Sequence, residues 1–415
     1  MADRGVISRD ADVLVVGAGP AGVAAGIEAR RRGLSTLVID KARFPRDKTC
    51  GDGLTTGALR QLDALGLDVR KLPSYASVHE TVIVGPDGRE VSLPLPDDGE
   101  YAGVVPRREL DAALVILARS RGIDVRDGVG LRGLTSTADA LHAMFDDDSV
   151  VSTRWLIAAD GHYSATRRLL HAEPADVPDL GTWHAFRQYF RGVDDPRLWV
   201  LFERDLLPGY AWVFPVGGGR ANVGFGVLRD DVAGGGKQLA ALWRDVLARP
   251  SVQRILGPHA EPDGPHRAWP IPASWSEAAL TGGPRTLFAG DAAGVVDPMT
   301  GEGIAQALET GTLAARAVAY GGHPSNVAAQ YRAAVREALG TDLRFAGALQ
   351  SVLRSPLGAR AALGAAGLTP WTRRNFARWM FEDYPRAVVL TPSRWRQGMF
   401  TRAGAYPSGR ISDTG

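Results

Sequence analysis

The run Gly17-Ala18-Gly19-Pro20-Ala21-Gly22 spaces three glycines so that a backbone can close around a phosphate. Gly17 permits a tight turn, Gly19 lets the main chain approach a pyrophosphate, and Gly22 lets a helix lie close on a strand. The first amides of the following helix point at the anion, and the helix dipole favours its charge. The run follows the apolar segment ADVLVV, opens the helical segment AGVAAGIEARRRG, and is followed by a second apolar segment, LSTLVID, that ends on Asp40. A carboxylate at Asp40 is placed to accept hydrogen bonds from ribose hydroxyls. In this strand–turn–helix setting the glycines read as a dinucleotide site rather than a simple turn, but they do not distinguish NAD from FAD.

Later segments make that choice. Asp160-Gly161 in WLIAADGHYSATRR and Gly290-Asp291 in LFAGDAAGVVDPMTGEGI each follow a buried-strand pattern, and Arg107 stands in PRRELD. These segments resemble the second and third FAD signatures and the cofactor-facing arginine of the flavoprotein group that includes p-hydroxybenzoate hydroxylase. The lesser reading is that Asp160 and Asp291 only cap turns. The chemistry of the third segment agrees with the resemblance. Asp291 can accept ribityl hydroxyls, and Pro298-Met299-Thr300-Gly301-Glu302-Gly303 leads into a helix N-terminus able to stabilise the negative charge of a reduced flavin. Taken singly, Gly301 and Gly303 are also what any loop entering a helix would show.

Two segments narrow the resemblance. FPRDKTCGDG around Cys50 is similar to the Cys-Gly-Asp-Gly segment of geranylgeranyl reductases and related menaquinone reductases, and GYAWVFPVGGGRANVGFGV is similar to their aromatic block with its glycine-spaced strand. Aromatic hydroxylases usually place a histidine where this chain has Gly294. Tyr210, Trp212 and Phe214 alternate along a strand, so they share one face and can wall an isoprenoid channel. Their ring faces would stabilise positive charge on an alkene carbon by about 0.5 to 2 kcal/mol each; ordinary sheet core is the equal alternative. The resemblance places Cys50 near flavin and substrate, where it could gate the site, tune its redox chemistry or donate a proton, while burial as a small apolar side chain is its plain reading. Arg46, Lys48 and Asp52 read equally as ligands or as a solvated loop.

The elements that must position these residues follow from pattern. The opening βαβ unit needs a crossover helix between parallel strands. TVIVGPDGREVSLPL reads as two strands about Pro86-Asp87-Gly88, PRRELDAALVILARSRG as a helix, and the aromatic segment beyond Asp160 as a substrate-side sheet. The expected fold is α/β: a Rossmann-type FAD-binding domain (1–72, 104–175 and 273–320), an inserted antiparallel-sheet substrate domain (73–103 and 176–272), and a C-terminal helical segment (321–415) ending in a frayed tail of ten residues. Gly217-Gly218-Gly219 and Gly234-Gly235-Gly236 read as a hairpin turn and a linker turn.

Composition bounds the function. The 415 residues, 45% hydrophobic and 23% charged, are ordinary for a globular protein of two or three units. A net charge of +2 gives no footprint for nucleic acid. The single cysteine, Cys50, excludes an intrachain disulfide and fits a reducing compartment. No paired histidine spacing implies a metal, and no Gly-x-Ser-x-Gly elbow implies a hydrolase. MADRGVISRD lacks the apolar core of a signal peptide, so a cytoplasmic protein is expected, with peripheral membrane contact open. RNFARWMFEDYPRAVVL suits either an interfacial contact or, preferably, a helix packed on the FAD domain.

The expectation is therefore an FAD-dependent oxidoreductase that saturates isoprenoid double bonds of a prenyl lipid, either a geranylgeranyl group or a menaquinone side chain. Its rivals are an FAD-dependent monooxygenase or halogenase and a non-catalytic prenyl-lipid-binding flavoprotein. NADPH docking transiently or a ferredoxin are both open as electron donor.

Overall fold

The computed structural model describes residues 9–97, 99–137, 139–171, 173, 177–231 and 235–395. The expected C-terminal tail lies outside these residues.

The strand Arg9–Val16, apolar on both faces from Val13 to Val16, runs through the middle of the first sheet. It pairs in parallel with Val150–Ala158 on one side and Thr36–Asp40 on the other. Thr286–Phe288 and Asp124–Asp127 extend the parallel order at the two ends. A hairpin of Leu131–Ser136 and Leu141–Phe145 joins Val150–Ala158 antiparallel. Both faces of such a sheet must be covered, which is why its strands read as continuous apolar runs.

Part of that cover comes from helices far apart in sequence. Pro20–Arg31 and Ile304–Tyr320 approach so closely that a Cβ on Gly311 would stand 2.1 Å from the Ala21 carbonyl oxygen. The helix Pro324–Val335 contributes Val327, Tyr331 and Val335 to the same core, and the Tyr331 hydroxyl donates to the Phe288 carbonyl at 2.6 Å.

The second sheet runs in the order Glu261–Pro262, Trp183–Arg191, Arg220–Leu228, Tyr210–Val216, Leu198–Leu201, Glu80–Val84 and Glu90–Pro94. All its pairs are antiparallel except Leu198–Leu201 with Glu80–Val84. One face packs on Trp243, Val246, Val252 and Ile255 of the helices Gly235–Ala248 and Pro250–Leu256. The other face, carrying Trp212 and Phe214, meets Leu363, Ala377 and Phe381 from the C-terminal helices. A small third sheet joins Gly53–Thr55, Ala102–Val104 and Ala76–Ser77.

Gly217, Gly218 and Gly219 form the hairpin turn between Tyr210–Val216 and Arg220–Leu228. The second glycine triplet departs from expectation: Gly235 opens a helix, and Gly234 lies outside the described residues. The amphipathic run KQLAALWRDVLA carries enough helix signal to extend back over the glycines.

Glycines here have opposite roles. Replacing Gly311 by Ala drives a methyl group into Ala21 and should lower unfolding free energy by about 1–3 kcal/mol. Gly364, in the helix Pro356–Ala366, has nothing within 4 Å of a built Cβ. Gly364→Ala should raise stability by about 0.5–1 kcal/mol. Urea unfolding midpoints that move in the same direction for both variants would contradict this packing.

Candidate functional site

The parallel strands Arg9–Val16, Val150–Ala158 and Thr286–Phe288 all end at one edge of the first sheet, and the residues that follow them are Gly17, Asp160 and Gly290-Asp291. Ligands of doubly wound sheets bind in the crevice outside such strand ends. A cavity of about 640 Å³ runs along this edge, bordered by Gly17, Gly19, Asp40, Arg107, Asp160 and Gly161. Gly290, Asp291, Gly301, Gly303, Cys50, Tyr210, Trp212 and Phe214 border it as well. Gly22 does not. A Cβ there would fall 1.8 Å from the Gly17 carbonyl oxygen, so its task is to let the helix begin against the turn.

The crevice suits a diphosphate. Gly17 has φ +102° and a Cβ on it would lie 2.2 Å from the Ala159 carbonyl oxygen, so only glycine makes this turn. No side chain caps the helix Pro20–Arg31. The nearest atoms to a Cβ on Gly19 are Arg46 Nη2 at 3.5 Å and Arg107 Nη2 at 3.9 Å. Two guanidinium groups and a helix N-terminus thus surround open space. Arg107 is itself held by Asp111, to which Nε and Nη2 donate at 2.7 and 2.8 Å, and Arg46 Nη1 lies 2.9 Å from the same carboxylate.

The Asp40 oxygens accept from the Ala18 and Ala42 amides, each at 2.8 Å, which fixes the carboxylate while leaving acceptor capacity on both oxygens. Asp160 accepts the Thr166 amide at 2.9 Å, so it does cap the short helix Ala165–Leu170 as well as border the cavity. Burial pushes its carboxyl up from the ordinary range. Asp291 sits in the turn Gly290–Ala293 with Lys48 Nζ 3.4 Å away. That lysine also lies 4.6 Å from the centre of the Trp269 ring, and burial pulls its ammonium pKa down.

The loop around Cys50 is built into the protein rather than solvated. Asp52 is 0% exposed and accepts from Tyr189 Oη at 2.5 Å, Asn222 Nδ2 at 2.7 Å and the Arg107 amide at 3.2 Å. Burial, opposed by Arg187 and these donors, pushes its carboxyl up to about 6. Asn222 Nδ2 also donates to the Cys50 carbonyl at 2.8 Å, and Trp212 Nε1 donates to Asn222 Oδ1 at 3.0 Å. The aromatic strand and the cysteine loop are therefore pinned to each other. Gly224 lies opposite Trp212 in the sheet, where a Cβ would stand 2.3 Å from Trp212 Cζ2, which explains the glycine spacing of that strand. Trp212 and Phe214 belong to the core and also border the cavity. Burial pushes the Cys50 thiol up to about 11, with Arg107 opposing and Asp52 and Glu302 adding, so it stays protonated at neutral pH.

A second, apolar chamber of about 110 Å³ adjoins the first. Leu198 and Val200 of the sheet form one side; Leu353, Leu363, Phe376, Trp379 and Phe381 of the C-terminal helices form the other. Tyr210, Phe214, Met299, Thr300 and Glu302 border both spaces. The segment expected to pack on the FAD domain meets it through Glu382, which accepts from Thr55 and Gln306, and its helix also packs on the second sheet and roofs this chamber. It is fastened by Arg386, whose Nε lies 3.0 Å from Asp297 Oδ2, with both side chains nearly closed to water. Asp297 Oδ1 in turn accepts the Met299 and Thr300 amides at 2.8 and 2.9 Å, and the Tyr210 hydroxyl donates to the Thr300 carbonyl. Burial, then the neighbouring Glu382, pushes the Glu302 carboxyl up to about 8, against the opposing pull of Arg386.

Asp52 reads from sequence as a ligand or a solvated side chain and proves to be a buried acceptor, while Asn222, Asp297, Glu302 and Arg386 carry no individual signal. Each lies inside a segment singled out for other reasons, and nothing local relates Arg386 to a partner 89 residues away.

The FAD binding domain family matches residues 10–320 of this chain. A menaquinone reductase of Mycolicibacterium smegmatis is 35% identical over 75% of this chain and 77% of its own length. A digeranylgeranylglycerophospholipid reductase of Methanosarcina mazei is 28% identical over 74% of each. The crystal structure of a geranylgeranyl bacteriochlorophyll reductase-like protein from Thermoplasma acidophilum superposes with a TM-score of 0.77 at 25% identity, covering 92% of this chain and 98% of that one. A halogenase solved in complex with FAD shares the fold at a TM-score of 0.68 and 16% identity, covering 94% of this chain and 85% of that one.

Removing the arginine from a buried pair leaves an uncompensated carboxylate. Arg386→Met should therefore cost about 3–5 kcal/mol of unfolding free energy. A loss below about 1 kcal/mol in urea titration would show that this pair does not hold the roof.

Proposed function

The chain belongs to the FAD binding domain family, and we propose that this FAD-dependent oxidoreductase saturates carbon–carbon double bonds in the isoprenoid chain of a lipid. The observation that carries the proposal is the wall shared by the two spaces: an apolar chamber opens against the cavity that suits the cofactor, with Tyr210 and Phe214 between them. The reductase names of the relatives support the same chemistry, a menaquinone side chain or a geranylgeranyl group being the substrate.

Gly17, Gly19, Arg107 and the first turn of Pro20–Arg31 would hold the diphosphate, Asp40 the ribose, and Asp160, Gly161, Gly290 and Asp291 the remainder of the cofactor. Gly301 and Gly303, just before the helix Ile304–Tyr320, would face the flavin ring. Bound there, FAD supplies the hydride for alkene reduction. The protein's own part is to exclude water, hold the chain and supply the complementary proton. Rings of Tyr210, Trp212 and Phe214 would face the carbon on which positive charge grows.

The monooxygenase reading is disfavoured by the residue after the Gly-Asp-Ala-Ala run. Gly294 has φ +68° and a Cβ there would lie 2.9 Å from the Ser274 carbonyl oxygen, so this turn does not accept the histidine usual in hydroxylases.

A lipid of this kind is drawn from a bilayer. No helix among the described residues is long and apolar enough to cross a membrane. The helices that roof the chamber instead expose Val352, Leu357, Leu368 and Trp371, with Leu357 and Leu368 each 74% exposed. Arg373 and Arg374 flank them on the helix Pro370–Met380. We infer that this face rests on anionic lipid at the cytoplasmic side of the membrane.

Anaerobically reduced protein should return its electrons when menaquinone or geranylgeranyl diphosphate is added, with product that has gained two hydrogens per bond. The mass of the side chain is the deciding readout, because a quinone ring can also accept electrons. Leu349→Trp, which narrows the chamber, and Trp212→Phe should each slow formation of that product about tenfold or more while flavin stays bound. Oxygenated or halogenated product formed only in air would sink the proposal. Separately, Leu368→Glu combined with Trp371→Glu should abolish sedimentation with phosphatidylglycerol vesicles and leave turnover of detergent-dispersed lipid intact; retained sedimentation would place the membrane contact elsewhere.

A further inference from the structure

Alkene reduction needs a proton as well as a hydride, and the reductase reading leaves its source unassigned. Three acids stand near the aromatic wall: Asp52, fully buried, and Cys50 and Glu302, both half-buried. Asp52 borders neither space and is occupied by Tyr189 and Asn222. Cys50 borders only the larger cavity. Glu302 borders both, at the junction an isoprenoid chain must cross to bring a double bond to the cofactor.

The surroundings of Glu302 are arranged around this point. Gly51 and Gly53 allow the cysteine loop to approach. A Cβ on Gly53 would stand 3.2 Å from Glu302 Oε1, and one on Gly51 would stand 3.3 Å from Phe214 Cε2. Glu302 belongs to the loop that Asp297 organises through the Met299 and Thr300 amides, and Tyr210 holds the Thr300 carbonyl of that loop. The carboxyl is thus presented at a fixed place beside the rings.

We propose, resting on the reductase reading above, that Glu302 is the catalytic acid that protonates the substrate alkene. The π pair of the double bond takes the Glu302 proton to form one new C–H bond. Hydride from the reduced flavin forms the other at the more substituted carbon, leaving oxidised flavin and a Glu302 carboxylate that solvent reprotonates.

Desolvation, and then the charges facing Glu302, keep it in the acid form. Glu382 repels its anion from the C-terminal segment, and that residue is committed as an acceptor to Thr55 Oγ1 at 2.6 Å and Gln306 Nε2 at 2.8 Å. Asp297 from the same loop and Asp52 from the cysteine loop act in the same direction, while Arg386 opposes them. Cys50 and Tyr210, also facing it, are neutral at physiological pH because burial raises both. With its carboxyl raised to about 8, Glu302 is protonated at neutral pH yet a far stronger acid than the Cys50 thiol.

The test uses reduced, flavin-loaded protein mixed anaerobically with menaquinone or geranylgeranyl diphosphate. The wild-type rate of side-chain reduction should fall as pH rises through about 8, since the active form is the protonated one. Glu302→Gln should be roughly 100-fold slower and lack that limb, while keeping its flavin and the spectral change caused by lipid. Glu302→Asp, which restores an acid, should recover part of the rate. In the resting protein, infrared spectra should show a protonated-carboxyl band that vanishes over the same pH range and is missing from Glu302→Gln. A Glu302→Gln variant that matches the wild-type rate and pH profile overturns the acid role alone, as does a wild-type protein without the titrating band. Wild-type protein that reduces neither side chain overturns the reductase reading, and the acid role with it.

Discussion

The ion pair of Asp297 and Arg386 is the constraint on which the second half of the molecule depends. A charged pair taken out of water gains little over an apolar pair of the same size, but losing one member is costly, so the pair acts mainly as a register device. Asp297 orders the turn that leads to Gly301, Glu302 and Gly303 by accepting two amides, and Arg386 also donates to the Trp379 and Met380 carbonyls. One contact therefore sets both the loop on the cofactor side and the roof of the apolar chamber. Without it, the two spaces would share no defined wall.

A similar economy governs the opposite wall. The rings of Tyr210, Trp212 and Phe214 project from a strand whose neighbour supplies Gly224 and Gly226 opposite the first two and Asn222 opposite the third. Gly224 gives room for the Trp212 ring, and Asn222 ties Trp212 to the Cys50 loop and to Asp52. Buried polar groups are tolerated there because each hydrogen bond leads to another member of the network. The result is a surface apolar enough for an isoprenoid chain, with the Cys50 thiol and the Glu302 carboxyl held protonated beside it.

The face that a lipid would cross follows from the same helices. Their inner residues close the chamber, and their outer turns leave Leu357, Leu368 and Trp371 in solvent.

Part of this site is legible in the amino-acid sequence. The glycine run, Asp160, Gly290-Asp291 and Arg107 are local in sequence, and their meaning depends on a strand ending and a helix beginning, which periodicity reveals; all but Ala18 and Gly22 border one cavity. Alternation puts Tyr210, Trp212 and Phe214 on one face. The loop around Cys50 is not legible in the same way. Arg46, Lys48 and Asp52 read equally as ligands or as a solvated loop, and only their contacts with Asp111, Asp291 and Asn222 give them tasks. The roof is legible only in part, because an amphipathic helix shows that it has an apolar face, not every surface that face meets. The cofactor crevice and the aromatic face follow from residue order alone, because both are written in periods of a few residues. That Glu302 lies between two cavities and that Arg386 meets Asp297 follows only from the folded chain, because burial and charge pairing depend on segments that no local pattern relates.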